Sequence, residues 1–195
     1  MKSRYFSIFI PALTLPFLNG CKSGSIESET LRPADNANQN PQIQDDNEKY
    51  LDMALRISGK TLEPDERGLA LRMLSLNERD LIRGLVQWLR LLDGKYPSSL
   101  EPKIVIKQAN QLLAAKYGSS ERAKEQGYDI FFASTFYNKL ICENKDVVYY
   151  GEEVTTKDND KILIRWKIDS DTYRVVFGDL STEDVSIVTL AKLEK

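Results

Sequence analysis

The chain has 195 residues, with 27 lysines and arginines, 29 aspartates and glutamates and no histidine, for a formal charge of −2. Without imidazole there is no Ser-His or Cys-His nucleophile pair, no histidine general base and no histidine metal ligand. A mildly acidic chain also lacks the clustered basic footprint expected of a nucleic-acid partner.

Lys2 and Arg4 open the chain, and residues 5–18 are apolar apart from Ser7, Thr14, Pro11 and Pro16. A basic start followed by an apolar core of about 7 to 15 residues is the order of a secretory signal. A membrane span takes about 20 apolar residues, and two prolines would break it. Leu18, Asn19, Gly20 and Cys21 follow, and this tetrad resembles the lipobox of bacterial lipoproteins. The resemblance implies cleavage between Gly20 and Cys21, a diacylated thioether on Cys21 and fatty acylation, as with palmitate, of the new amino terminus. Each buried methylene contributes about 0.8 kcal/mol, so one chain holds marginally and two or more hold firmly. Lys22 stands where inner-membrane lipoproteins usually carry Asp, which implies the outer membrane, facing the periplasm. Loss of residues 1–20 removes Lys2 and Arg4 and no acid, leaving 25 basic residues against 29 acidic ones and a formal charge of −4. With Cys21 assigned to lipid, Cys142 is left without an intramolecular partner, and a buried, inert thiol is expected there rather than a reactive one.

Residues 22–48 are rich in Ser, Asn, Gln, Asp and Glu, with Pro33, Pro41 and only the scattered aliphatics Ile26, Leu31 and Ile43. This composition buries too little apolar surface to offset ordering, so residues 21–48 are expected to be a lipidated cysteine and a disordered tether. As a flexible coil the tether reaches on the order of 30 Å. Residues 49–195 then make a single globular domain, long enough for a core.

That domain reads helical first. Residues 50–58 place Leu51, Ala54 and Leu55 at helical spacing before Gly59, and a second helix follows Glu63 over 64–74. Ser75 and Glu78 have the form of a capping box for a third helix. Leu81, Leu85, Trp88 and Leu92 form one stripe of it and Ile82, Val86 and Leu89 another, ending at Gly94, with Trp88 in the core. Arg79, Arg83 and Arg90 share its polar face. With Asp80 and Asp93 nearby they read as solvated, the alternative being anionic lipid headgroups or an acidic partner. After a turn at 95–100, residues 103–117 align Ile106, Ala109, Leu113 and Tyr117 before Gly118. A short helix from Ser120 is expected to stop at Gly127. Residues 128–143 read helical again, although Phe131, Phe132, Phe136 and Tyr137 suit a strand as well.

The pattern changes near Val147. Ile162, Ile164, Trp166 and Ile168 alternate with polar neighbours, and Tyr173, Val175 and Phe177 alternate after them. A four-residue loop, 169–172, would set 168 opposite 173, 166 opposite 175 and 164 opposite 177, so that both apolar rows share a face. Residues 147–150 and 183–185 add strands, and Ser186 caps a terminal helix through Leu193.

Candidate sites are few. Asp158-Asn159-Asp160 and Asp169-Ser170-Asp171 lack the third ligand and the glycine of a calcium loop, since Ile162 and Tyr173 stand where that ligand belongs; turn chemistry accounts for both. Ser120 with Lys124 and Ser134 with Lys139 are the nearest approach to a Ser-Lys pair. Phe131, Phe132, Phe136, Tyr137, Tyr149 and Tyr150 form either aromatic core or a sugar or peptide groove, with core the default. No catalytic residue, metal ligand or cofactor is assigned.

Asp80-Leu81-Ile82, Gly94-Lys95-Tyr96-Pro97-Ser98-Ser99-Leu100, Tyr149-Tyr150-Gly151, Leu163-Ile164-Arg165-Trp166-Lys167 and Tyr173-Arg174-Val175-Val176-Phe177-Gly178-Asp179-Leu180 together resemble a family of uncharacterised bacterial envelope proteins, over residues 75–195. The helix, the Y-P-x-S-L loop and the terminal hairpin are also loosely similar to soluble domains of pseudopilin-like proteins. The chain departs from those in lacking a prepilin cleavage site and a long apolar amino-terminal helix. Both resemblances imply an α+β fold, and neither transfers a catalytic residue.

The expectation is an α+β protein with several N-terminal helices, a small antiparallel sheet and a short C-terminal helix. Its expected role is a non-catalytic binding or assembly module, held to the membrane through Cys21 and meeting an envelope protein or glycan. The alternative is a histidine-independent envelope hydrolase using carboxylates or a Ser-Lys pair.

Overall fold

The computed structural model describes residues 41–59 and 61–195. The expected signal peptide, the Gly20–Cys21 cleavage site and the tether up to residue 40 lie outside the described residues. The rest falls into two compact units, one ending at Leu76 and one running from Asn77 to Lys195.

The first unit contains α1, Pro41–Ser58, and α2, Pro64–Leu74. α1 begins inside the stretch expected as tether. Proline at the first helical position is pre-organised for a helix, and Lys49 pairs with Asp45 one turn away at 2.5 Å. Gly59, at φ 63°, follows the helix in a conformation that favours glycine. At α2, the Glu63 N–H donates to the Glu66 carboxylate at 3.0 Å, and Arg67 reaches Asp52 of α1 at 2.8 Å. Ser75 closes α2, its hydroxyl donating to the Arg72 carbonyl at 3.0 Å. It is therefore not the cap of the next helix. That role belongs to Asn77, whose side chain accepts from the Arg79 N–H at 2.9 Å while the Asp80 carboxylate accepts from the Asn77 N–H at 3.0 Å.

The second unit is the α+β body. α3 spans Glu78–Leu91, α4 Pro102–Tyr117 and α5 Glu121–Cys142. α3 buries Leu81, Leu85 and Trp88 of the expected stripe, while Leu91 is buried and the expected Leu92 only half-buried. α5 runs unbroken through Gly127, against the expected stop there, and the ambiguous aromatic stretch is helical. Gly127 sits in ordinary contact with Leu113 of α4, and a single glycine costs a helix interior only about 1 kcal/mol, which the packing of the surrounding turns outweighs. α3 and α5 approach more tightly still at Gly84, where a Cβ would stand 2.3 Å from the Ala133 Cβ and 2.7 Å from the Asp129 carbonyl oxygen. Trp88, Leu91, Val105, Ala109, Leu113, Ala123 and Ile130 fill the space between these helices.

The sheet is an antiparallel meander in chain order: β1 Val148–Tyr149, β2 Ile162–Lys167, β3 Thr172–Phe177 and β4 Thr182–Ser186. α6, Ile187–Leu193, follows directly, and the Ser186 hydroxyl accepts from the Thr189 N–H at 3.2 Å as its cap. The hairpin is where expected, but its register differs by one residue. Trp166 pairs with Arg174, Arg165 with Val175 and Ile164 with Val176, and a bulge between Ile162 and Ile164 brings Ile162 opposite Phe177. The cause lies in the turn. Asp169 accepts from the N–H groups of Asp171 and Thr172 at 3.0 and 2.9 Å, and the Ile168 N–H donates to the Thr172 carbonyl, which tightens the loop. A one-residue shift exchanges faces, so the two apolar rows do not coincide. Ile164, Trp166 and Val176 face the helical layer, with Phe136 of α5 edge-on to Trp166 at 5.9 Å. Tyr173, Val175, Phe177 and Ile162 face the other way and gather with Val185 and Leu190 beneath α6.

Two predictions follow from this packing. Gly84→Ala is expected to destabilise the protein by about 1–3 kcal/mol through overpacking, against the gain of up to ~1 kcal/mol that alanine brings to a free helix; urea denaturation measures the sign. Among the described residues the buried Trp88 Nε1 and Gln126 Oε1 have no hydrogen-bond partner, so Gln126→Met is expected to raise stability by about 1–2 kcal/mol, because an unpaired buried amide oxygen is removed.

Candidate functional site

The motif residues of the two-tyrosine and glycine segments converge on one place. The buried Tyr96 hydroxyl donates to the Gly178 carbonyl at 2.6 Å, and the Tyr149 hydroxyl donates to the Pro97 carbonyl at 2.9 Å. Gly178 lies against the carbonyls of Asp158 and Thr155, each 2.5 Å from where a Cβ would be, and Gly151 lies under the Tyr149 ring and the Pro97 carbonyl. Lys95 bridges to Thr155. Three loops, between α3 and α4, between β1 and β2 and between β3 and β4, are thereby clasped together. Burial, aided by Asp179, pushes the Tyr96 hydroxyl up to about 12, and burial raises Tyr149 as well, with smaller contributions from Tyr96 and Tyr137. Both phenols stay protonated and act as donors to backbone carbonyls, which leaves neither poised as a base.

A second polar group sits on the face of the sheet that α6 covers, centred on the interior strand β2. Arg165 pairs with Glu194 at 2.9 Å and Asp146 at 2.8 Å, and its guanidinium lies 5.3 Å from the Tyr173 ring centre. Tyr150 donates to Glu194, and Tyr173 donates to Asp146, each at 2.9 Å. Partial burial pushes the Asp146 carboxyl up, but hydrogen bonds from Tyr173 and Arg165 outweigh it and hold it below the usual range. A general acid needs the opposite shift. The other displaced carboxylates also move down: Asp158 to about 2 through Lys161 and Thr155, Asp169 through the N–H groups of its turn, and Asp179 through Ser181.

The sequence-derived candidates are kept apart or committed elsewhere. Asp158 accepts from the Thr155 N–H and hydroxyl at 2.9 and 2.7 Å and pairs with Lys161 at 2.9 Å; with the Asp169 turn, both acidic pairs act as turn residues. Ser120 caps α5, and Lys124 pairs with Glu121 at 2.9 Å, which raises the lysine and keeps it charged. A Ser-Lys base must be neutral. Ser134 is buried and donates to the Leu100 carbonyl at 2.8 Å, while Lys139 faces Glu143 at 3.9 Å. Phe131 and Phe136 are core, Tyr137 lies edge-on to Tyr149 at 6.4 Å, and Tyr128 stacks on Phe132 at the surface. Among the described residues there is no group of three or more carboxylates and cysteines placed to hold a metal.

Cys142 ends α5 half-buried, with the Asn138 amide donating toward its sulfur at 3.9 Å. The clasp itself was missed by sequence reasoning, which noted its residues only as a resemblance. A signal was present in two tyrosines and two glycines in separate loops, but their pairing needs three-dimensional proximity. No family model matches the chain, and no curated protein or solved structure matches it.

Tyr96→Phe is expected to cost about 1–3 kcal/mol, because the Gly178 carbonyl is left buried without its donor. The folded chain holds the Tyr96 proton to about pH 12, while the unfolded chain releases it near 10.0. The stability linked to this group is therefore complete below pH 10 and is lost as pH rises toward 12. At the acid end the lowered carboxylates contribute stability present above their ordinary value of 3.8 and lost as pH falls below it, for Asp158 toward about 2. Melting temperature against pH, for the natural chain and Tyr96→Phe, measures both limbs, with the variant showing the shallower alkaline fall.

Proposed function

We propose that the chain is a lipid-anchored protein of the bacterial cell envelope whose folded part is a binding or assembly module. The observation that carries this reading is the tetrad Leu18-Asn19-Gly20-Cys21 behind a basic, apolar leader. Lys22 supports placement at the outer membrane, facing the periplasm. Among the described residues no helix is long and apolar enough to cross a membrane. The non-catalytic half of the reading is supported by the Ser, Lys and carboxylate candidates, whose polar atoms serve helix caps, turns and ion pairs.

A thioether sulfur takes no part in a disulfide. With two cysteines in the chain, lipid on Cys21 and an intrachain disulfide at Cys142 exclude each other. The mass of the mature amino-terminal peptide decides between them. A diacylglyceryl increment on Cys21, lost together with membrane fractionation in Cys21→Ser, is the expected result. An amino-terminal peptide linked to the Cys142 peptide and released by reductant would overturn the anchor. For the module, crosslinking in intact envelopes is expected to enrich a protein or glycan over a lipidated control domain, and no enrichment would count against it.

A further inference from the structure

Three acids around α3 are committed elsewhere, whereas among the described residues its arginines make no ion pair, Arg90 donating only to the Gln87 amide oxygen at 3.2 Å. Asp80 is 3 % exposed and is turned into the helix cap. Glu78 pairs with Arg174, which also holds Asp184. Asp129 accepts from Gln87 at 2.9 Å, and Asp93 stands beyond the helix end at φ 51°. Among the described residues no carboxylate is ion-paired with Arg79, Arg83 or Arg90, all three of which are exposed. Of the two acids named beside this face, Asp80 is therefore withdrawn from it, and only the exposed Asp93 remains, at the Arg90 end.

The three arginines lie on one side of α3 and, at 1.5 Å per residue, span about 16 Å. The row continues past the helix end. Lys116 Nζ donates to the Arg90 carbonyl at 2.5 Å, and Lys116 and Arg122 lie 6.0 and 5.3 Å from the centre of the Tyr117 ring. Lys116 and Arg122, about a Tyr117 ring that packs on the helical core, thus add two cations at the Arg90 end of the row in an otherwise acidic protein.

We propose that this row is a docking surface for the anionic phosphate headgroups of a lipid bilayer. A straight row on a rigid helix meets a flat charged surface along its whole length. The inference rests on the lipid-anchor reading only for bringing a bilayer within reach of the tether; the contact itself needs no lipid on the protein. The row would orient the anchored module, setting which of its other faces meets a partner.

The test uses the chain from residue 21 to 195 carrying Cys21→Ser, so that no acyl group contributes, with vesicles of phosphatidylcholine alone or with phosphatidylglycerol. Sedimentation at low ionic strength is expected to show binding to the anionic vesicles only, weakening as salt screens it. Each arginine near an anionic surface is worth roughly 1 kcal/mol, so Arg79→Glu/Arg83→Glu/Arg90→Glu should reduce partitioning at least about tenfold. Arg122→Glu, at a separate place in the row, should give a smaller loss. Melting temperatures matching the parent show that the variants fold. Equal binding by parent and triple variant, or none by the parent, would overturn the proposal. So would displacement by inorganic phosphate at matched ionic strength, which would point to a discrete anion site, or crosslinking of the row to an acidic protein without vesicle binding. Because the acyl group is absent throughout, failure here leaves the mass measurement at Cys21 unaffected, and the reverse holds too.

Discussion

The hydroxyl of Tyr96 reaching the Gly178 carbonyl is the contact on which the rest of the α+β body depends. It joins the loop after α3 to the turn after β3, across 82 residues of sequence. Gly178 can be reached because it carries no side chain: its backbone lies against Thr155 and Asp158, so the β1–β2 loop is clamped by the same contact. Tyr149 repeats the arrangement over Pro97. In both cases a phenol supplies apolar area to the core and satisfies a buried carbonyl at its tip, a combination phenylalanine cannot offer.

This clasp gives the sheet two different faces. One lies on the helices through Ile164, Trp166 and Val176, and the other holds Tyr173, Val175 and Phe177 beneath α6. α6 has one buried residue, Leu190, and is held at its end by Arg165 and Tyr150 on Glu194. Charged side chains therefore divide by task. Arg165 and Arg174 join separate elements through ion pairs, whereas Arg79, Arg83 and Arg90 make no described ion pair and face outward.

Much of the fold was legible in local pattern. The core stripe of α3, the closure of α4 at Gly118, the Ser186 cap of α6 and the strands flanking the hairpin all follow from side-chain period and cap chemistry, which act within a few residues. Expectations failed where a distant contact decided. Gly127 carries the signature of a helix end, yet Leu113 packs against it inside α5. Ser75 and Glu78 have the capping-box form, but Ser75 closes the preceding helix and Asn77 does the capping. The hairpin register turned on two hydrogen bonds to Asp169, which one residue of loop length rearranges.

Composition and motif thus determined by themselves the absence of histidine chemistry, the order of helices before strands and the expectation of a lipid-modified Cys21, because each depends on residue identity or short-range spacing. Tertiary structure alone decided which face Tyr173, Val175 and Phe177 cover, that the Ser and Lys candidates serve caps, a carbonyl and ion pairs, and that Asp80 turns inward, into the helix cap. These outcomes depend on distances between residues far apart in the chain, and local pattern carries no information about such distances.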